Sequence, residues 1–450
     1  MTEQKSIPQR LLSLALPVIG LNVLNVLALG VDTAMLGRIP NAEIALTGLG
    51  FATQLMFLLM VAMMGLTVGS VALVARAHGA MQPDRVNHIV LQSTQLTVLL
   101  SIGVALLGNA VADPLLAFMG ASDSSRAAGL LYMRPLLWGV VFSYLNILYA
   151  ALLRGVGNTR LPFVVALIMN LLNAALNYGL ILGNYGLPAL GIQGAALGTI
   201  IAQAAAVAIM VSVLVSGRVP GVRLRLRPRP IDLPLASDLV RIGSPAALDM
   251  IVFNAGFLSI VGMLGRIDEV AVAAHGVGLR IQALAFVPGM SIGQATGAIV
   301  GNALGANRPE EARATARAAM VMCMILMTTL GVIFIAFAEP LLMLFDIQPG
   351  TALAGHAVTW IRLLGLTMPA VAIYIALVGV FQGSGATRIS LRINIIATVL
   401  QVPLSALLGF TLGLGTFGVW LAFPIALALK SVLGVREYRR GTWAQSGASR

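Results

Sequence analysis

Long apolar stretches alternate with short polar breaks along almost the whole chain. The first, LLSLALPVIGLNVLNVLALGVDTAML, runs from Leu11 to Leu36, long enough for the roughly 20 apolar residues that a bilayer crossing takes. The same pattern predicts spans near 46–75, 87–111, 128–153, 161–183 and 191–215. After the basic stretch SGRVPGVRLRLRPRPIDLPLASD it predicts 238–264, 270–303, 314–337, 353–381, 389–411 and 415–434. The expected fold is an all-α membrane protein with twelve transmembrane helices in two pseudo-symmetric six-helix bundles. Residues 1–215 would form an N-terminal lobe, 216–237 a cytoplasmic basic connector, and 238–450 a C-terminal lobe with a cytoplasmic tail.

The two halves read as copies. Pro17 and Pro245 stand 228 positions apart, and so do Gly37-Arg38-Ile39 and Gly265-Arg266-Ile267, and Arg134 and Arg362. The same offset relates Gly155-Val156-Gly157-Asn158-Thr159-Arg160 to Gly383-Ser384-Gly385-Ala386-Thr387-Arg388. Small gaps shift it for Gly79-Ala80-Met81-Gln82-Pro83 against Gly305-Ala306-Asn307-Arg308-Pro309, and for Asp113-Pro114 against Glu339-Pro340. Six-helix halves begin and end on one side, so these are parallel repeats about an axis along the membrane normal. Transporters built this way bind substrate at the repeat interface.

Composition agrees: 58% hydrophobic, 10% charged, mean hydropathy +0.94, where soluble domains carry about a quarter charged residues. The net charge of +12 does not point to nucleic acid. Most basic residues fall in alternate loops: the N-terminus, Arg76, Arg85, Arg154, Arg160, the run Arg218 to Arg241, Arg308 to Arg317, Arg388, Arg392 and the tail from Lys430. The opposite loops hold few, such as Arg38, Arg126 and Arg266. That asymmetry places both termini in the cytoplasm. The single cysteine, Cys323, excludes an internal disulfide.

Few ionisable residues fall inside spans, where charge is costly and marks ion or substrate pathways. Asp32 lies near the far end of the first span. Its repeat counterpart is Ile260, so the shared scaffold does not require the acid. It reads as a titratable coupling site, against the alternative of a carboxylate solvated at the helix end. Asn170, Asn173 and Asn177 share one face of the fifth span and suggest a polar pocket or interhelical glue. Thr398, Gln401 and Ser405 hold the equivalent places. In the second half, Asp249 is either a second cation or substrate site or an acid at the cytoplasmic mouth. Arg280 is a candidate partner for it or a snorkelling arginine, and His275 reads as an interfacial histidine. Arg134, Arg362, Asp113 and Glu339 recur in both halves and read as scaffold. Met35, Met56, Met60, Met63, Met64, Met250 and Met290 either line a deformable cavity or simply pack. GVGNT and GSGAT lack the Lys-Ser/Thr that a phosphate loop needs. No metal-ligand cluster or nucleophile–base set is present in the spans, so neither an enzyme nor a cofactor is expected.

These residues together resemble the multidrug and toxic compound extrusion (MATE) family over nearly the full chain. The resemblance rests on Pro17 with Val31-Asp32-Thr33, the RGVGNTR and QGSGATR turns, Arg280-Ile281-Gln282-Ala283-Leu284, and twelve spans in two halves. It implies antiport of cationic or amphiphilic drug-like compounds against inward H+ or Na+, in the cell inner membrane, by a monomer with no nucleic-acid partner. The resemblance is strongest to the prokaryotic DNA-damage-inducible branch, in which a first-helix aspartate couples and a proline fifteen residues earlier bends the helix. Asp32 and Pro17 match that spacing. The branch's fifth-helix amide falls on Asn173, its second acid on Asn177, here an amide, and its sixth-helix hydroxyl on Thr199. The loss of that acid favours H+ over Na+. The other bacterial branch uses acids in the seventh and tenth spans. Here Phe253 takes the seventh-span place, with Asp249 a turn away, and the tenth has none. The rival expectation is a lipid-linked-saccharide flippase of the same superfamily, which would need several cationic side chains in its cavity.

Overall fold

The computed structural model describes residues 6–225, 227 and 229–445; readings that touch 1–5, 226, 228 and 446–450 lie outside the described residues. The first half contains α1 (Ile7–Leu36), α2 (Ala42–Gly79), α3 (Pro83–Phe118), α4 (Asp123–Trp138), α5 (Val140–Gly155), α6 (Arg160–Leu182) and α7 (Ile192–Val215). The second contains α8 (Leu233–Ile267), α9 (Glu269–Gly305), α10 (Pro309–Ala336), the short α11 (Ala338–Met343), α12 (Ala352–Gly383), α13 (Thr387–Ala406), α14 (Gly415–Arg440) and α15 (Thr442–Gln445). A π-helical turn, Leu407–Thr411, extends α13. Eleven of these helices are long and apolar enough to cross a membrane, and the bent pair α4–α5 makes a twelfth span.

That pair departs from the single helix expected at 128–153: it bends by 58° at Gly139. Pro135 sits one turn earlier and has no N–H to give the helix. Phe142 N–H then closes on Gly139 O at 3.0 Å, a three-residue ring tighter than the α-helical one. A Cβ at 139 would lie 2.8 Å from the Ile200 side chain of α7, so the bend is packed against a neighbour. The counterpart, α12, runs unbroken through its own Pro369.

Duplication is visible in the backbone as well. Left-handed residues recur at matched turns: Met81 and Asn307, Gly120 and Asp346, Gly157 and Gly385, Tyr185 and Gly413. Pro83 and Pro309 each open a helix just after such a residue, where the missing N–H costs nothing. The acidic landmarks find arginines at the same ends, Asp113 with Arg126 at 3.1 Å and Glu339 with Arg362 at 3.6 Å. Arg134 takes no such partner among the described residues.

Residues 20–243 form one compact unit, and residues 1–19 with 244–450 form the other. The boundaries thus fall inside α1 and α8, not in the connector at 216–237. Burial explains the first of them. Leu11 and Ala15 are wholly buried in a core shared with α8, α9, α10, α11, α12 and α14, which includes Trp360 and Trp420. In the unit of residues 20–243 the main core gathers Tyr144, Tyr149, Leu152 and Met210. Close helix contact depends on small residues: at Gly331 an added Cβ would sit 2.6 Å from the carbonyl oxygen of Gly365, and the reverse distance is also 2.6 Å.

Candidate functional site

In the unit of residues 20–243, four of the residues singled out in the sequence converge. Asn177 Nδ2 donates to Asp32 Oδ1 at 2.6 Å and to Asn173 Oδ1 at 3.5 Å. Asn173 Nδ2 donates to Thr199 Oγ1 at 3.3 Å, and Thr199 Oγ1 donates to the Ala195 carbonyl at 2.8 Å. The donors diverge from Asn177 of α6, one arm ending on the carboxylate of α1 and the other passing through Asn173 and Thr199 to a backbone carbonyl of α7. The 2.6 Å bond is short, as a charge-assisted bond to a carboxylate is.

Local structure positions each member. The four-residue spacing of Asn173 and Asn177 stacks them on one face of α6, and both are buried, Asn177 completely. Gly198 of α7 makes room for this amide, because a Cβ there would collide with Asn177 Oδ1. That oxygen is buried without a hydrogen-bond partner. Asp32 is partly buried. Asn170 does not join: its Nδ2 turns back to the Ala166 carbonyl at 2.7 Å. Pro17 lies within the continuous α1, fifteen positions before Asp32, in the part of the helix that belongs to the other unit.

The second-half candidates are rearranged relative to expectation. Asp249 does not pair with Arg280, which is exposed and forms no ion pair among the described residues. The polar neighbours are instead Asn394 of α13, whose Nδ2 donates to the Asp249 backbone carbonyl at 2.9 Å, and Lys430 of α14, whose Nζ donates to Asn394 Oδ1 at 2.6 Å. Lys430 is 5% exposed, so it does not open a cytoplasmic tail as the charge pattern suggested. α14 continues to Arg440, and the basic run begins only at Arg436. The signal was present in LALKSVLGV, a lysine flanked on both sides by apolar residues. His275 is not interfacial: it is 1% exposed, lies 4.9 Å from Trp360 and 5.6 Å from Phe257 between ring centroids, and neither ring nitrogen has a partner. The methionines are spread over separate cores, Met35, Met56 and Met60 each packing in a different one. Cys323 is buried and free. Among the described residues no group of three His, Cys, Asp or Glu is arranged to hold a metal.

A duplicated twelve-span helical fold with an isolated acid–amide–hydroxyl cluster in one unit defines the class, a polytopic membrane transporter. The MatE family model matches residues 17–179 and 245–407, two blocks separated by the same 228 positions as the internal repeat, and the chain belongs to that family. It is 26% identical to the probable multidrug resistance protein NorM of Thermotoga maritima, over 98% of this chain and 94% of that one. It is 30% identical to the probable multidrug resistance protein NorM of Burkholderia mallei, over 91% and 87%. A crystal structure of a MATE in the bent conformation shares the fold with a TM-score of 0.90 at 20% identity, covering 99% of this chain and 98% of that one. The family is one of transporters, not enzymes, and its bacterial members are multi-pass membrane proteins.

Proposed function

We propose that the protein is a secondary active multidrug efflux transporter, with both termini cytoplasmic, that exchanges cationic or amphiphilic compounds for inward H+ at Asp32. It needs no cofactor beyond the coupling ion and works as a monomer in the cell inner membrane. The single observation that carries this reading is the 2.6 Å bond from Asn177 to Asp32, which ties the carboxylate to the amide–hydroxyl cluster. Protonation turns the carboxylate from an acceptor into a donor. The amide that faces it also carries an unpartnered oxygen, so a half-turn of Asn177 accepts the new O–H. One carboxylate is fully neutralised by one proton, and the amide at position 177 leaves a sodium ion without a second acid.

In this mechanism the outward-open protein takes up a proton on Asp32, α1 bends near Pro17, and the substrate loses its place. The protein then recloses and releases the proton to the higher internal pH. Antiport requires only that proton and substrate compete for the same state. The relatives' names support drug efflux over the flippase alternative, and the Asp32 cluster with its Pro17 spacing supports the DNA-damage-inducible branch. The test is transport by the purified protein in proteoliposomes with a pH gradient and a sodium gradient imposed separately. Export driven by the pH gradient alone is expected; export driven only by sodium refutes the coupling assignment.

A further inference from the structure

The unit of residues 1–19 and 244–450 contains a second charged cluster that the coupling mechanism leaves unused. Lysine is almost never fully buried without an anionic partner, and ionisable groups at membrane depth are functional by default. Lys430 has three N–H donors. One goes to Asn394 Oδ1 at 2.6 Å. The ammonium otherwise faces aromatic rings, 5.8 Å from the centroid of Phe253 and 5.7 Å from that of Tyr374. No carboxylate among the described residues lies within 4.0 Å of it. Asp249 carries the complementary deficit. Asn394 Nδ2 donates to its backbone carbonyl, and one carboxyl oxygen is buried without a hydrogen-bond partner. An acid and a base thus share one bridging amide without forming a direct ion pair.

Nothing in the duplicated scaffold requires these residues. At the 228-residue offset, Asp249, Asn394 and Lys430 become Leu21, Ala166 and Ala202, so an equivalent six-helix half stands with apolar side chains at all three places. A buried cation with unspent donors, walled by two aromatic faces, suits a planar aromatic compound that carries a carboxylate. Its ring would lie against Phe253 and Tyr374 while the carboxylate takes the free Lys430 donors.

We infer that Lys430, with Asn394, Phe253 and Tyr374, forms a second ligand site that takes the carboxylate of aromatic acids. This rests on the reading of the protein as an exporter of small organic compounds and adds an anionic class to it. The test measures binding of 2-naphthoate and of its cationic counterpart, 2-naphthylmethylamine, to the full-length protein in detergent. Wild type should bind the acid. Lys430→Met should weaken acid binding by about tenfold or more, the loss expected for a charged hydrogen bond, and leave amine binding unchanged. Lys430→Arg should keep the preference for the acid. Equal losses of acid and amine binding in Lys430→Met, or no loss of the acid, overturn the site. If the Met variant does not fold, wild-type protein that binds the amine but not the acid overturns it as well. Proton-driven export of the amine, followed in vesicles, tests the transport reading separately, since detergent binding does not depend on any gradient.

Discussion

Replacing Asp32 by asparagine and by leucine separates its chemistry from its structural part. Asparagine keeps an oxygen where Oδ1 stands, so the donor from Asn177, now at 2.6 Å, retains an acceptor. The variant should fold and insert with nearly unchanged heat stability. It has no titratable group, so a pH gradient can no longer be converted into a substrate gradient. Each pH unit is worth about 1.4 kcal/mol per proton, roughly a tenfold substrate ratio for a one-to-one exchange. Wild-type vesicles should therefore sustain up to about tenfold accumulation per pH unit, and Asp32→Asn vesicles none. Leucine removes the acceptor altogether and leaves a donor of the wholly buried Asn177 unmatched. An orphaned buried donor costs about 1–3 kcal/mol, a fall in midpoint of roughly 2–12 °C for a unit of this size. The assays are dye accumulation in proteoliposomes and thermal unfolding in detergent. Wild-type accumulation by Asp32→Asn would show that Asp32 does not couple, and a leucine variant as heat-stable as the asparagine one would show that Asn177 does not need this acceptor.

Two further outcomes test packing and the connector. Gly331→Ala places a methyl 2.6 Å from the Gly365 carbonyl oxygen, and overpacking of this kind destabilises by about 1–3 kcal/mol. Gly262→Ala in α8 has nothing within 4 Å and should gain up to about 1 kcal/mol from helix propensity; thermal unfolding that ranks the two the other way contradicts the contact. The connector is strapped to α3: Arg223 N–H donates to Asn87 Oδ1 at 2.6 Å, Gln92 Nε2 to the Pro230 carbonyl at 3.0 Å, and His88 Nε2 meets Asp232 Oδ2 at 2.8 Å. The hydrogen bond from His88 and then that from Leu235 N–H hold the Asp232 carboxyl below the usual carboxylate range. A depressed acid contributes above its unfolded value and loses that contribution as pH falls through the folded one. Hydrogen-exchange protection of the Asp232 and Leu235 amides should therefore persist down to about pH 4 and fall only below it; loss already at pH 5 would show that the pair does not hold the strap.

The number and extent of the spans, the duplication and the members of the Asp32 cluster were legible in the sequence. Hydropathy over 20 residues is a local property, and in lipid a backbone must satisfy itself within each helix, so apolar length translates directly into elements. Asn173 and Asn177 can be named because amides in an apolar helix stand out and helical spacing puts them on one face; Thr199 comes only from the resemblance to the family. Partner choice was not legible, because it depends on which helices pack side by side. Arg280 and Asp249 are close in sequence logic, yet α13 brings Asn394 to the Asp249 backbone and α14 brings Lys430 to Asn394, and Lys430 had looked like the start of a tail. The bend at Gly139 likewise needed Ile200 of another helix to fill the space beside it. The chain alone determined which segments become helices and which positions carry charge. Only tertiary packing decided which charges meet and where a helix must break, since those energies come from contacts between residues far apart in sequence.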